Sequence, residues 1–122
     1  MKKFIVYFWI LLFNLCFTAD CAEKLLTYDS NGNISRYTVP HAGEISYTYD
    51  PIKRLTNIDY PDGKSVKYAY DYNSNLTEIS DGHGITSYSY DALNRLIKAQ
   101  LPNNDNIAYE YDPAGRFLRI VY

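Results

Sequence analysis

Cysteine is nearly missing from this chain. Its 122 residues hold two, Cys16 and Cys21, both in or beside the N-terminal segment, so the remainder has no disulfide framework and no thiolate metal site. Histidine is equally scarce: His41 and His83 fall in turn-rich stretches, and two imidazoles are too few for a typical zinc centre. No basic stripe appears. The formal net charge is −2, and beyond residue 22 it is −3 with the signs interspersed, which argues against nucleic acid or an anionic membrane surface as a partner. No stretch carries the apolar period of a useful helix.

The longest apolar run, Phe4 to Phe17, is 14 residues interrupted only by Asn14. It falls short of the roughly 20 residues that span a bilayer. Lys2 and Lys3 precede it and Thr18-Ala19-Asp20 follows, the order of a secretory signal peptide, assigned here to residues 1–22. Ala19 and Cys21 favour cleavage after Cys21, with a cut after Ala22 as the second choice. A retained anchor is the weaker reading, so membrane contact is expected only through an uncleaved segment. Leu15 before Cys16 and Asp20 before Cys21 fit neither cysteine to lipidation. The expected location is secreted or cell envelope, and the mature domain is residues 23–122.

What the chain has in abundance is tyrosine, and it is ordered. Tyr28-Asp29, Tyr49-Asp50, Tyr70-Asp71, Tyr90-Asp91 and Tyr111-Asp112 recur at intervals of 21, 21, 20 and 21 residues, and 12 of the 14 tyrosines lie between Tyr28 and Tyr111. A fixed period of this length marks a repeat architecture. Tyr47, Tyr68, Tyr88 and Tyr109 stand two residues before the last four pairs, with Ile45, Val66, Thr86 and Ile107 two further back. Alternation of β-branched and aromatic residues with small or polar ones predicts half-buried strands.

Turn residues follow each pair, among them Asn31-Gly32-Asn33, Asn73-Ser74-Asn75 and Pro113-Ala114-Gly115. Each Asp should accept a backbone N–H two residues on, with Gly or Asn taking a left-handed position. Ile34, Leu55, Leu76, Leu96 and Phe117 then begin a second strand. A second turn is marked by Pro40, Pro61 and Pro102, with Asp81-Gly82 in the third unit. The one-residue deletion before Asp81 predicts a bulge or shortened strand there. The expectation is an all-β, antiparallel repeat sheet of strand-turn-strand units.

The runs Tyr111-Asp-Pro-Ala-Gly-Arg-Phe-Leu-Arg-Ile120, Tyr90-Asp-Ala-Leu-Asn-Arg-Leu96 and Tyr49-Asp-Pro-Ile-Lys-Arg-Leu55 resemble the Rhs or YD repeat, whose usual form is Tyr-Asp, two variable residues, then Gly-Arg-Leu. The resemblance runs from about Tyr28 to the end. It departs from the family where Lys53, Ser74 and Asn94 replace the glycine, a left-handed position that Asn tolerates and Lys and Ser tolerate less well. It departs also where Asn33 and Asn75 replace the arginine, so the units holding those two Asn residues are expected to have drifted or to have turns of a different type. Larger members wind dozens of units into a closed β shell that encloses a toxic domain in bacterial polymorphic and insecticidal toxins, or forms part of the teneurin ectodomain. The resemblance implies an open fragment of such a shell here, about four and a half units with two free edges. Such edges predict self-association with other YD-repeat segments or docking of a partner protein. Leu118 to Tyr122 shows no capping pattern, which suggests a truncated or split member, or an edge covered by a partner.

No catalytic, metal or cofactor constellation emerges. The Asp residues share one phase, which speaks for turn chemistry over paired-carboxylate catalysis. Asp29-Asn31-Asn33 and Asp71-Asn73-Asn75 space oxygens as calcium loops do, but the twelfth positions are Pro40 and Gly82, which supply no bidentate carboxylate. The remaining candidate is a sugar-stacking face built from Tyr47, Tyr49, Tyr68, Tyr70, Tyr88, Tyr90, Tyr109 and Tyr111. Set against it is the reading that rings at one phase of every unit serve packing first. The expected function is an exported, non-enzymatic shell segment or remnant of a toxin or cell-surface protein, with glycan binding as the alternative.

Overall fold

The computed structural model describes residues 25–39 and 41–122. The signal-peptide assignment and the turn at Pro40 lie outside the described residues. Ten strands follow in chain order: β1 Leu25–Tyr28, β2 Ile34–Val39, β3 Gly43–Tyr49, β4 Leu55–Asp59, β5 Ser65–Tyr70, β6 Leu76–Asp81, β7 Gly84–Tyr90, β8 Leu96–Gln100, β9 Asn106–Tyr111 and β10 Phe117–Val121. Each pairs antiparallel with its chain neighbour, giving one open ten-stranded meander in sequence order. This is the expected all-β repeat sheet. Every Tyr-Asp tyrosine closes an odd-numbered strand, so the repeat phase of the sequence is the strand phase of the fold.

Alternation, reset by one bulged residue near the start of each even strand, separates the two faces. Paired residues form a stepped row across the sheet: Tyr47 faces Ile58 and Ile58 faces Val66, then, two residues on along β5, Tyr68 faces Ile79 and Ile79 faces Thr86. The row continues through Tyr88 opposite Ala99, Ala99 opposite Ile107, and Tyr109 opposite Ile120. The other face pairs Thr48 with Asn57, Asn57 with Lys67, and Lys67 with Ser80. The apolar side chains cover one another within a single layer, and Ala99 at 4% exposure is the one buried hydrophobe among the described residues.

The five turns after the Tyr-Asp pairs are alike, contrary to the expectation of drift or different type in the Asn33 and Asn75 units. The residue three after each Asp adopts positive φ in all five, at 81° for Gly32, 68° for Lys53, 69° for Ser74, 60° for Asn94 and 81° for Gly115. Each Asp N–H donates to the carbonyl four residues on, at 2.8 to 3.0 Å, and its own carbonyl accepts from the residue three on. This is the three-residue hairpin loop whose left-handed residue produces a bulge. A separate register shift lies three residues beyond the left-handed one, where Ser35, Thr56, Thr77, Ile97 and Leu118 are each an extra residue with no partner in the hairpin. Lys and Ser are held in the left-handed region because the bonds around them fix the same loop.

The third-unit deletion is corrected. β6 keeps six residues, and its pairing with β7 runs from Glu78 opposite Ser87 to Asp81 opposite Gly84 without a bulge. The turn absorbs the loss: only Gly82 and His83 connect the strands, and Gly84 carries the strain at φ 129°. Shortening a loop leaves the faces in place, whereas removing a strand residue would invert them. Gly84 also lies beneath the next proline turn, where a Cβ would sit 2.8 Å from Pro102 Cβ, and Gly43 stands likewise 2.7 Å from Pro61 Cβ.

Gly84→Ala therefore destabilises the sheet by about 1–3 kcal/mol through clash and backbone strain. Ser74→Gly relieves left-handed strain but removes the hydroxyl that accepts from Arg54 Nη1 at 3.2 Å, so it stabilises the sheet by no more than about 0.5 kcal/mol. Urea titrations of the two variants against the parent read both signs.

Candidate functional site

The repeated motif builds one row of linked turns along one side of the sheet. In four of the five, one Asp carboxylate oxygen accepts two backbone N–H groups: Asn31 and Asn33 on Asp29, Ile52 and Arg54 on Asp50, Asn73 and Asn75 on Asp71, Leu93 and Arg95 on Asp91. On Asp112, Arg116 N–H donates at 2.8 Å. The second oxygen accepts the side chain four residues on in all five, from Asn33, Arg54, Asn75, Arg95 and Arg116, at 2.6 to 2.9 Å. Asn thus substitutes for Arg as donor, which explains why the first and third turns keep the common form. It also accounts for the D-x-N-x-N spacing: Asn33 and Asn75 bind their own Asp.

These bonds set the acidity of the turn. The Asn33 side chain holds the Asp29 carboxyl below its usual value, and the Asn75 side chain does the same for Asp71. For Asp91 and Asp112 the strongest cause is the backbone N–H of Arg95 and of Arg116. At Asp50 desolvation, which opposes ionisation, is the largest single influence, and the N–H groups and guanidinium of its own turn together outweigh it.

Tyrosine and arginine join one unit to the next. The hydroxyls of Tyr70, Tyr90 and Tyr111 donate to the carbonyls of Leu55, Leu76 and Leu96 of the preceding unit, at 2.8 to 2.9 Å. The Arg54 guanidinium lies 4.7 Å from the centre of the Tyr70 ring and donates to the Asp71 carbonyl at 3.1 Å. Arg95 lies 4.6 Å from the centre of the Tyr111 ring. Sequence reasoning noted these arginines without giving them a role. The signal was available: an arginine four residues after Asp, at one fixed phase, implies a fixed contact.

The eight candidate tyrosines divide accordingly. Tyr70, Tyr90 and Tyr111 are engaged by hydroxyl bonds to the neighbouring unit, and Tyr70 and Tyr111 by stacking as well. Tyr49 holds the equivalent position opposite Leu55. Tyr47, Tyr68, Tyr88 and Tyr109 lie half-buried in the apolar row. Burial pushes the phenols of Tyr49, Tyr68 and Tyr90 up from their ordinary value. An open cleft of about 450 Å³ lined by Ile52, Arg54, Tyr70, Asp71 and Tyr72 adds Tyr72, which was not among the candidates. His41 and His83 are both exposed and stand on different turns.

The RHS Repeat family profile matches residues 28–65, 49–86 and 70–105. The chain belongs to the RHS-repeat family. No curated protein sequence matches it. Among solved structures, the Photorhabdus luminescens Tc holotoxin pore is similar over 80% of this chain, with 25% identity and a TM-score of 0.66. A TcdB2-TccC3 complex gives the same values, and another lacking the hypervariable C-terminal region gives 25% identity and a TM-score of 0.63. This chain spans only 5 to 7% of the length of those chains.

The depressed Asp acidities fix the sign of the acid response. A carboxyl with folded pKa below its unfolded value contributes stability above the unfolded pKa of about 3.9, and that stability is lost as pH falls through the lower folded value. The urea midpoint therefore declines progressively below about pH 4. Asp91→Asn lowers the midpoint at pH 7 and makes the acid decline shallower; an unchanged acid slope in that variant would count against the assignment.

Proposed function

We propose that this chain is an exported, non-enzymatic wall segment of the RHS type, acting through its β surface and edges. The observation that carries this reading is the use of the repeated polar groups. The five Asp carboxylates and five side chains four residues on are engaged within their own turns. Residues committed to identical contacts in successive units build a surface, and a repeat array of this kind extends by stacking like on like. The domain boundary near residue 23, the leader and the secreted or cell-envelope location belong to this reading. So does the idea of a shell remnant, which draws support from the Tc toxin likeness.

Glycan binding through the tyrosine face is the second reading, favoured by the open Arg54-Tyr70-Tyr72 cleft and the half-buried row of Tyr47, Tyr68, Tyr88 and Tyr109. Aromatic rings with adjacent polar groups suit sugar stacking.

Expression from the full reading frame, followed by envelope fractionation and intact-mass measurement, should recover a chain starting at Ala22 or Glu23. That product should bind no immobilised glycan saturably and turn over no generic ester, peptide or glycoside substrate. Saturable glycan binding lost in folded Tyr47→Ala, Tyr68→Ala and Tyr88→Ala variants would transfer the assignment to the second reading. Turnover by the purified chain would overturn the non-enzymatic one.

A further inference from the structure

We propose that the β1 edge of one copy docks on the β10 edge of a second copy, so that the chain assembles head to tail by continuing its own repeat. The proposal rests on the wall-segment reading and names its partner. It starts from the two strand types. Odd strands end in Tyr-Asp and even strands follow the turn, so the type that comes next after β10 is the type of β1. An isologous β1–β1 or β10–β10 pair would place like against like, which occurs nowhere within the sheet.

The internal register is uniform enough to specify the joint. Between successive units the residue seven after the Asp faces the residue three before the next tyrosine: Arg36 opposite Ser46, Asn57 opposite Lys67, Glu78 opposite Ser87, Lys98 opposite Ala108. The same rule places Arg119 of one copy opposite Leu25 of the other. Both are exposed, and among the described residues β10 pairs only with β9 and β1 only with β2.

The side chains that join internal units are divided between the two edges. Arg116 is the counterpart of Arg54 and Arg95, and its side chain is 82% exposed with no tyrosine stacked on it among the described residues. Phe117 is the counterpart of Leu55 and Leu96, whose carbonyls accept the tyrosine hydroxyls. Tyr28, at the opposite edge, is the counterpart of Tyr70 and Tyr111 and is 60% exposed. Docking stacks Arg116 on Tyr28 and brings the Tyr28 hydroxyl to the Phe117 carbonyl. It also covers Leu25, Leu26, Leu118 and Val121, each at least 40% exposed. Because the contact is heterologous, growth continues until a ring closes or a filament forms.

The test uses the chain expressed from its full reading frame and purified in the form that cells accumulate. Sedimentation velocity from about 1 μM to about 1 mM should give a ladder of integer multiples of the protomer mass. Tyr28→Phe and Arg116→Ala, folded by circular dichroism, should each weaken association about fivefold, since each removes one stacking or hydroxyl contact. Leu25→Arg, facing Arg119 across the joint, should associate severalfold more weakly than Leu25→Glu, because like charges directly opposite repel. A Tyr28→Ala, Leu25→Arg chain and an Arg116→Ala, Leu118→Asp chain should each remain monomeric, while their mixture forms a one-to-one dimer through the two intact edges. A folded monomer throughout the range overturns the proposal, and so does a dimer insensitive to these changes. Either result removes this edge contact alone and leaves export, lack of turnover and the β surface to be judged by their own tests.

Discussion

The hydrogen bonds accepted by the repeated Asp carboxylate are the constraint on which the sheet depends. One oxygen gathers backbone N–H groups, the other holds the side chain four residues on, and the loop between them closes over a left-handed residue. That loop closes each hairpin, one bulged residue three positions beyond the left-handed one shifts the register, and the register decides which side chains share a face. A row of tyrosine and aliphatic side chains on one side, with Ser, Thr, Asn and Lys on the other, follows from repeating that turn five times.

Energetically the chain is close to one-dimensional. Each strand touches only its sequence neighbours, and no second layer covers the apolar row among the described residues. Stability then sums over units and the joints between them. The joints are specific: a tyrosine hydroxyl on a preceding carbonyl recurs three times, and an arginine over a ring twice. Because the joint is built from the motif itself, the surface that stabilises the interior is also the surface presented at both edges. The wall role and the edge extension proposed above both draw on this one set of contacts.

Much of this was legible in the sequence because the repeat samples the same environment five times. The Tyr-Asp period located every odd strand, the alternation before it assigned the apolar face, and the Asp-to-N–H bond was readable from turn chemistry. What escaped was tertiary. The stacking of Arg54 on Tyr70 and of Arg95 on Tyr111 joins residues 16 apart, a distance at which spacing alone names no partner. Lys53 and Ser74 looked incompatible with the glycine position, yet the surrounding bonds impose the same φ on them. The deletion in the third unit was located correctly and assigned to the wrong element, because sequence cannot say whether strand or turn gives way. The eight candidate tyrosines were identified as one surface, and the structure divides them into a row at the unit joints and a row across the middle.

The most direct measurement is amide hydrogen exchange on the parent and on Asp91→Ala, read at Leu93 and Arg95, whose N–H groups donate to the Asp91 carboxylate at 2.9 and 3.0 Å. If that carboxylate holds the turn, protection at both amides collapses in the variant and falls along β7 and β8 while β3 and β4 stay protected. Unchanged protection at Leu93 and Arg95 would contradict the account, because the turn would then be held by its backbone alone.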